Sequence, residues 1–264
     1  MQNMNLTLLQ TSLQWENAEA NLAHFDQLIS RINGPTDLIL LPEMFNTGFS
    51  MQATTLAETM DGPTLRWLKT KAAQCQAVIM GSLIVREEGV YYNRLAVAFP
   101  DSSIRHYDKR HLFRMAGEHL TFTGGNKPLT IEIKGWKIRP FVCYDLRFPV
   151  WSRNTFDPDT GWQYDMAVYV ANWPATRAHA WKSLPVARAI ENQAWTATLN
   201  RIGADGNGHA YGGDSQVINS YGEVIVHLAD GEHVKTIVLD RASLDKHREA
   251  FPVGRDADRF DIFP

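Results

Sequence analysis

Two hydrophobic periodicities alternate along the chain. Leu6 to Leu9 opens a short strand, and 16–32 then sets Leu22, Phe25, Leu28, Ile29 and Ile32 three and four residues apart, the stripe of an amphipathic helix. DLILL (37–41) is an unbroken apolar run, which suits a strand covered on both faces. Pro63 opens a second helix, whose inner face runs through Leu65, Leu68 and Ala72 up to Cys75. AVIMGSLIV (77–85) and VYYNRLAVAF (90–99), split by a charged Gly turn, read as adjacent antiparallel strands. A further pair is predicted within 129–144, bending at Gly135, and a buried strand at 165–172. The pattern from Pro174 to Gln193 predicts a long helix with Leu184, Ala187, Ile190 and Ala194 inward. Strand-like runs at 195–202, 215–228 and 235–240 precede a last helix near Leu244 to Phe251.

No internal repeat or low-complexity linker interrupts this order, so one domain over 1–264 is expected, of α/β class with mixed sheets. A chain of 264 residues buries about three-quarters of its unfolded surface and needs no disulfide staples. Two cysteines, Cys75 and Cys143, could not supply a disulfide framework in any case, and a reducing compartment fits them. A formal net charge of -3 leaves no basic field for phosphate backbones, which argues against nucleic acid as a partner. No apolar stretch approaches the roughly 18 residues of a membrane span. The N-terminus carries neither a basic leader nor a cleavable apolar stretch, so a cytoplasmic protein is expected.

Four polar residues stand where the pattern makes them conspicuous. FVCYDLRFPV (141–150) brings Cys143 to a strand end before an abrupt change to Tyr144, Asp145 and Arg147, the kind of place where an α/β scaffold presents reactive groups. Read alone, Cys143 fits a buried structural thiol better than a reactive one. Glu43 directly follows an apolar strand, and burying its carboxylate there requires a hydrogen-bonding pocket; an exposed turn is the other reading. Lys109 and Glu118, in a loop flanked by Gly117 and the pair Gly124, Gly125, fit solvated surface groups as well as a site.

Taken jointly, these features match a family pattern across nearly the whole chain. LPE (41–43), YDKRHLF (107–113), GE (117–118), CYDLRFP (143–149) and GDS (213–215) occur in the order and approximate spacing of the nitrilase, or carbon–nitrogen hydrolase, superfamily, which the sequence resembles. EMFNTGF (43–49), YVANWP (169–174), ARAIENQAW (187–195) and NRIG (200–203) resemble its omega-amidase branch. The resemblance implies a four-layer α-β-β-α sandwich and a homodimer formed through a two-fold interface. It implies Glu43 as general base and acid, Lys109 at the oxyanion, Cys143 as nucleophile and Glu118 as the second carboxylate. The implied reaction hydrolyses the terminal amide of a small 2-oxo dicarboxylate monoamide, such as 2-oxoglutaramate, to acid and ammonia. One segment departs from the pattern: RNTFDPDTGWQYD (153–165) is longer and more polar than the usual link, which leaves the pocket edge and the dimer contact open.

The chemistry suits those groups. An amide is a poor electrophile with a poor leaving group, and a covalent thioester divides its hydrolysis into two easier steps. Lys109 is expected to favour the thiolate, with the three central groups titrating as one unit. The Tyr144 N–H is the natural second oxyanion donor, and Arg147, Arg177 and Arg188 are candidates to grip the far carboxylate. Arg147 could instead pair with Asp145, and Arg188 could face solvent or a partner. Phe45, Tyr144 and Trp173 are candidate apolar walls, although aromatics there also serve as core. Side chains and water suffice, so no metal or organic cofactor is expected, and His106, His111 and His119 lack the pairing of a helical zinc site. No papain-type signature surrounds Cys143. The alternatives are a nitrilase, an N-carbamoyl hydrolase, an amidase for deaminated glutathione, or a catalytically silent binding protein on the same fold.

Overall fold

The structure, a computed structural model, describes residues 2–258 and 260–262. A first six-stranded sheet is built from β1 (Met4–Gln10), β2 (Leu38–Leu40), β3 (Val78–Glu87), β4 (Val90–Ala98) and β5 (Ile104–Asp108), with β16 (His233–Leu239) completing the order β16-β1-β2-β3-β4-β5. A second is ordered β15-β14-β11-β10-β7-β6, from β6 (Ile131–Ile133), β7 (Trp136–Val142), β10 (Met166–Ala171), β11 (Trp195–Asn200), β14 (Ser215–Ile218) and β15 (Val224–Leu228). Two small hairpins, β8 (Phe156–Asp157) with β9 (Gly161–Trp162) and β12 (Ile202–Ala204) with β13 (Ala210–Gly212), lie outside both sheets.

The two sheets share one plan. Each has a parallel trio, β1-β2-β3 or β7-β10-β11, with one antiparallel neighbour on one side and two on the other. The architecture therefore repeats although the sequence does not. Helices cover the outer faces: α1 (Ala18–Ser30) and α3 (Pro63–Cys75) on the first sheet, α5 (Ala178–Asn192) on the second. Short α2 (Ala53–Leu56) and α4 (Glu118–Thr121) lie in loops, and α6 (Arg241–Ala250) follows β16. The result is the expected four-layer sandwich of mixed α/β class.

Alternation along the strands explains the apolar runs. In β2, Leu38 and Leu40 enter the core between the sheets while Ile39 joins Phe25, Leu28, Leu65 and Leu68 beneath the helices. Both faces are dry, so no polar position survives. The register of β3 with β4 and Pro63 at the start of α3 also follow the sequence pattern.

The long helix does not. Within α5 the buried side chains are Trp181, Pro185, Arg188, Ala189 and Asn192, whereas Ala187 and Ile190 face outward and Leu184 is half-buried. The expected stripe is thus rotated, because Arg188 turns inward to donate to the Leu146 carbonyl at 2.8 Å and to Glu191 at 2.9 Å. Arg188 is structural and is absent from the lining of the cavity at Cys143. The 195–202 run likewise breaks after Asn200, and 215–228 is two strands joined by a turn. Segment 153–165 forms the β8–β9 hairpin beside Arg248 and Arg255, and none of its residues lines the Cys143 cavity, so it does not shape that pocket's edge. Among the described residues, no helix is long and apolar enough to cross a membrane.

Candidate active site

The C-terminal ends of the two parallel trios meet at one cavity, the position where open α/β sheets bind ligands. Glu43 follows β2, Cys143 follows β7, and Asn172 follows β10. Lys109 arrives from the end of β5.

Each residue is fixed by its own turn. After Glu43 the chain adopts a left-handed residue, Met44 (φ 42°), whose N–H donates to Ser82 Oγ at 2.9 Å, and the Phe45 N–H donates to the Ser82 carbonyl at 3.0 Å. This close approach uses Gly81, where a Cβ would sit 2.7 Å from Leu41 Cβ and 2.9 Å from the Phe45 ring. Cys143 is itself left-handed (φ 44°), a conformation that costs a non-glycine residue about 1–3 kcal/mol and persists only when its surroundings impose it. Asp145 imposes it: Oδ2 accepts the Val142 N–H at 3.1 Å and the Tyr107 hydroxyl at 2.7 Å, and Oδ1 accepts the His111 N–H at 3.0 Å. Asp145 therefore ties the cysteine turn to the lysine loop, and it does not pair with Arg147.

Lys109 is bound on both sides of its backbone, its N–H to the Asn93 carbonyl and its carbonyl to the Gly125 N–H, each at 3.0 Å. Its Nζ, fully buried, donates to Glu43 Oε1 at 2.9 Å and to both oxygens of Glu118 at 3.0 and 2.9 Å. Glu118 Oε2 also accepts the Phe113 N–H at 2.5 Å. Glu43 Oε1 accepts Asn93 Nδ2 at 2.8 Å, and Oε2 accepts the Asn172 N–H at 2.8 Å. The Cys143 thiol, only 8% exposed, donates to the Asn172 carbonyl at 3.8 Å and lies within the electrostatic reach of Glu43.

Two carboxylates against one ammonium leave one net negative charge around the sulfur. Burial disfavours the charged lysine, but Glu118, Glu43 and Cys143 outweigh it and hold the Lys109 pKa above its ordinary value. Burial raises Glu118, with Lys109 opposing. Burial and then Glu43 push the Cys143 thiol well up; Lys109 favours the thiolate, as expected, but does not prevail. The balance of these influences favours the thiol over the thiolate.

The cavity holds about 740 Å³. Lys109, Cys143, Tyr144, Arg147, Trp173 and Arg177 line it, so the structure brings together most of the residues expected from sequence. Arg147 stacks over Trp173 at 5.0 Å, Arg177 over Phe113 at 5.4 Å, and neither has a carboxylate partner among the described residues. Phe45 is the exception. Its ring is fully buried beneath the helices, 5.6 Å from Phe25 and 6.0 Å from Trp67, so it is core and Phe49 takes the wall position. Asn93 and Asn172 escaped the sequence reading; for Asn93 the available signal was an amide within a strand-like run, on the same face as Leu95 and Val97 of VYYNRLAVAF.

The carbon–nitrogen hydrolase family model matches residues 5–249. Omega-amidase YafV of Escherichia coli (strain K12) is 48% identical over 265 residues, with 100% of both chains covered. A 2-oxoglutaramate amidase of Bacillus subtilis is 30% identical, covering 95% of this chain and 96% of its own. Among solved structures, a CN-hydrolase superfamily protein of Xanthomonas campestris, with an arsenic adduct in its active site, superposes with a TM-score of 0.97 at 44% identity and full coverage of both chains. Fold, site geometry and these likenesses agree, and the chain belongs to the carbon–nitrogen hydrolase family.

Proposed function

We propose that this chain is an amidase that hydrolyses the terminal amide of a small 2-oxo dicarboxylate monoamide, 2-oxoglutaramate or 2-oxosuccinamate, through a Cys143 thioester. The observation that carries the reading is the sealed Glu43–Lys109–Glu118 cluster against a thiol that itself opens onto a cavity. Three buried charges are costly unless they are paired, and a purely structural pairing has no use for a sulfur at its edge.

Donor counting assigns the roles. Lys109 has three N–H bonds: one goes to Glu43, one is shared by the two oxygens of Glu118, and the third remains for the substrate oxygen. Glu43 Oε1 is occupied by Lys109 and Asn93, which leaves Oε2, held only by the Asn172 N–H, to take the thiol proton. Sulfur then bonds to the amide carbon while the carbonyl electron pair moves to oxygen, stabilised by Lys109 and the Tyr144 N–H. Collapse breaks the C–N bond as Glu43 returns the proton to nitrogen, releasing ammonia. Water adds to the thioester, its proton going to Glu43, and the departing sulfur recovers that proton as the acid leaves. Glu118 holds Lys109 in place. Arg147 and Arg177 grip the far carboxylate, with Tyr144 and Trp173 as walls.

The protein is further read as a single-domain cytoplasmic homodimer. The dimer has support from apolar Ile190, exposed on α5 beside Gly222, and from exposed Tyr221. Replacing Cys143 with Ala tests the central claim: ammonia release from 2-oxoglutaramate falls by about three orders of magnitude or more while the fold persists. Turnover that survives the change refutes the nucleophile.

A further inference from the structure

Asn93 sits where β4 passes from half-exposed to fully buried, followed by Leu95 and Val97 in the inter-sheet core. An amide there must find partners. Its Nδ2 donates to Glu43 Oε1 at 2.8 Å and to Glu118 Oε1 at 3.1 Å. Lys109 Nζ donates to the same two oxygens at 2.9 and 3.0 Å. Two donors and two carboxylate oxygens thus alternate around a closed ring, one donor charged and the other neutral. The backbone sets them side by side, because the Lys109 N–H donates to the Asn93 carbonyl at 3.0 Å.

The arrangement has a cost that identifies what the amide is for. Asn93 Oδ1 is buried with no hydrogen-bond partner among the described residues, a penalty of about 1–3 kcal/mol. Turning the amide over gives no relief, since it would aim Oδ1 at two carboxylates. An apolar side chain of the same shape would escape the penalty altogether. What only the amide provides is its pair of N–H donors.

We propose that Asn93 is a positioning residue for the hydrolysis, holding Glu43 and Glu118 in register around Lys109 and doing so without adding charge. The proposal rests on the catalytic reading above. Neutrality matters because a second cation would cancel the net negative charge that keeps Glu43 a proton acceptor, whereas a third carboxylate would force a proton onto the cluster. The groups facing this amide are Glu43, Glu118 and Lys109; the Cys143 thiol and the Tyr211 phenol lie beyond Glu43.

Asn93→Asp and Asn93→Leu test it, with Asn93→Ser, which keeps one donor, as the milder variant if either fails to fold. Both lower kcat by about ten- to hundredfold, the worth of hydrogen bonds to charged groups, with KM within about threefold of wild type. In both, the acid limb of the pH–rate profile moves up by about one unit or more, further for Asp than for Leu, because the carboxylates lose a donor that favours their ionised form. Asn93→Ser lies between these and wild type on both measures. Melting temperatures are recorded alongside. A kcat loss that tracks lost stability while the pH profile stays put makes Asn93 an ordinary core residue and overturns the proposal, as does a wild-type kcat in Asn93→Leu. Those outcomes leave the nucleophile assignment intact, whereas activity retained in Cys143→Ala removes the reading beneath it.

Discussion

Replacing Glu43 with Gln separates the two things this carboxylate does to the sulfur. As an anion near Cys143 it disfavours the thiolate; in the proposed mechanism it is also the acceptor that takes the proton when substrate is attacked. A neutral amide in its place does neither, and the cluster around the thiol, left with Glu118 and Lys109, becomes neutral overall. A unit charge about 4 Å away at an effective dielectric of about 20 is worth about 4 kcal/mol, which the amide dipole and relaxation reduce to about 3 kcal/mol. At about 1.4 kcal/mol per unit, the thiol pKa falls by about two units. Since a thiolate loses nucleophilicity as its pKa falls, with a Brønsted coefficient near ~0.5, about one unit's worth survives as a rate gain, or about tenfold.

The assay follows iodoacetamide alkylation of Cys143 between about pH 6 and 10, with mass spectrometry locating the adduct. Glu43→Gln alkylates about tenfold faster than wild type near neutral pH while its ammonia release drops by about 10²–10⁴-fold, the usual worth of a general base. The two reactions move in opposite directions. Parallel losses would refute the reasoning, because they would mean that the resting sulfur is already a thiolate that Glu43 helps to maintain.

Two further perturbations probe the walls and the lysine loop. Arg147→Met and Arg177→Met each raise KM for 2-oxoglutaramate by about tenfold or more, the worth of a charge-assisted hydrogen bond, but leave KM for an uncharged amide of equal length within about twofold. Equal effects on both substrates would show that neither guanidinium meets a carboxylate. In Gly125→Ala the new methyl overlaps the Asp108 carbonyl oxygen and displaces the backbone that feeds Lys109, so kcat falls by about a hundredfold with binding little changed. A wild-type kcat there would mean that the loop yields without moving Nζ.

Apolar periodicity made the layers legible and left the site largely illegible, for one physical reason. DLILL declares a strand dry on both faces because Leu38, Leu40 and Ile39 each lose water whichever layer receives them. The same criterion misplaced Phe45, since a ring beside Glu43 is equally apolar whether it walls a cavity or packs on Phe25; the chain's direction at Met44, where it passes over Gly81, decides, and that is a matter of backbone shape. It also misread α5, where Arg188 is buried to serve the Leu146 carbonyl and Ile190 is left outside.

Burial of a polar group is determined by its partners, and here those partners are remote: Lys109 lies 66 residues from Glu43, and Asn172 lies 129. Composition and spacing could mark Glu43, Lys109, Glu118 and Cys143 as anomalies but could not join them; the family resemblance did that. The resemblance carried only the residues that its motifs name, which is why Asn93 went unseen. It makes no motif of its own and reveals itself only when two carboxylates, one ammonium and one amide are found closing a ring. Side chains of this kind, buried, polar and left with an unsatisfied atom, are where a site's unrecorded requirements are most directly exposed, because nothing in the packing alone would retain them.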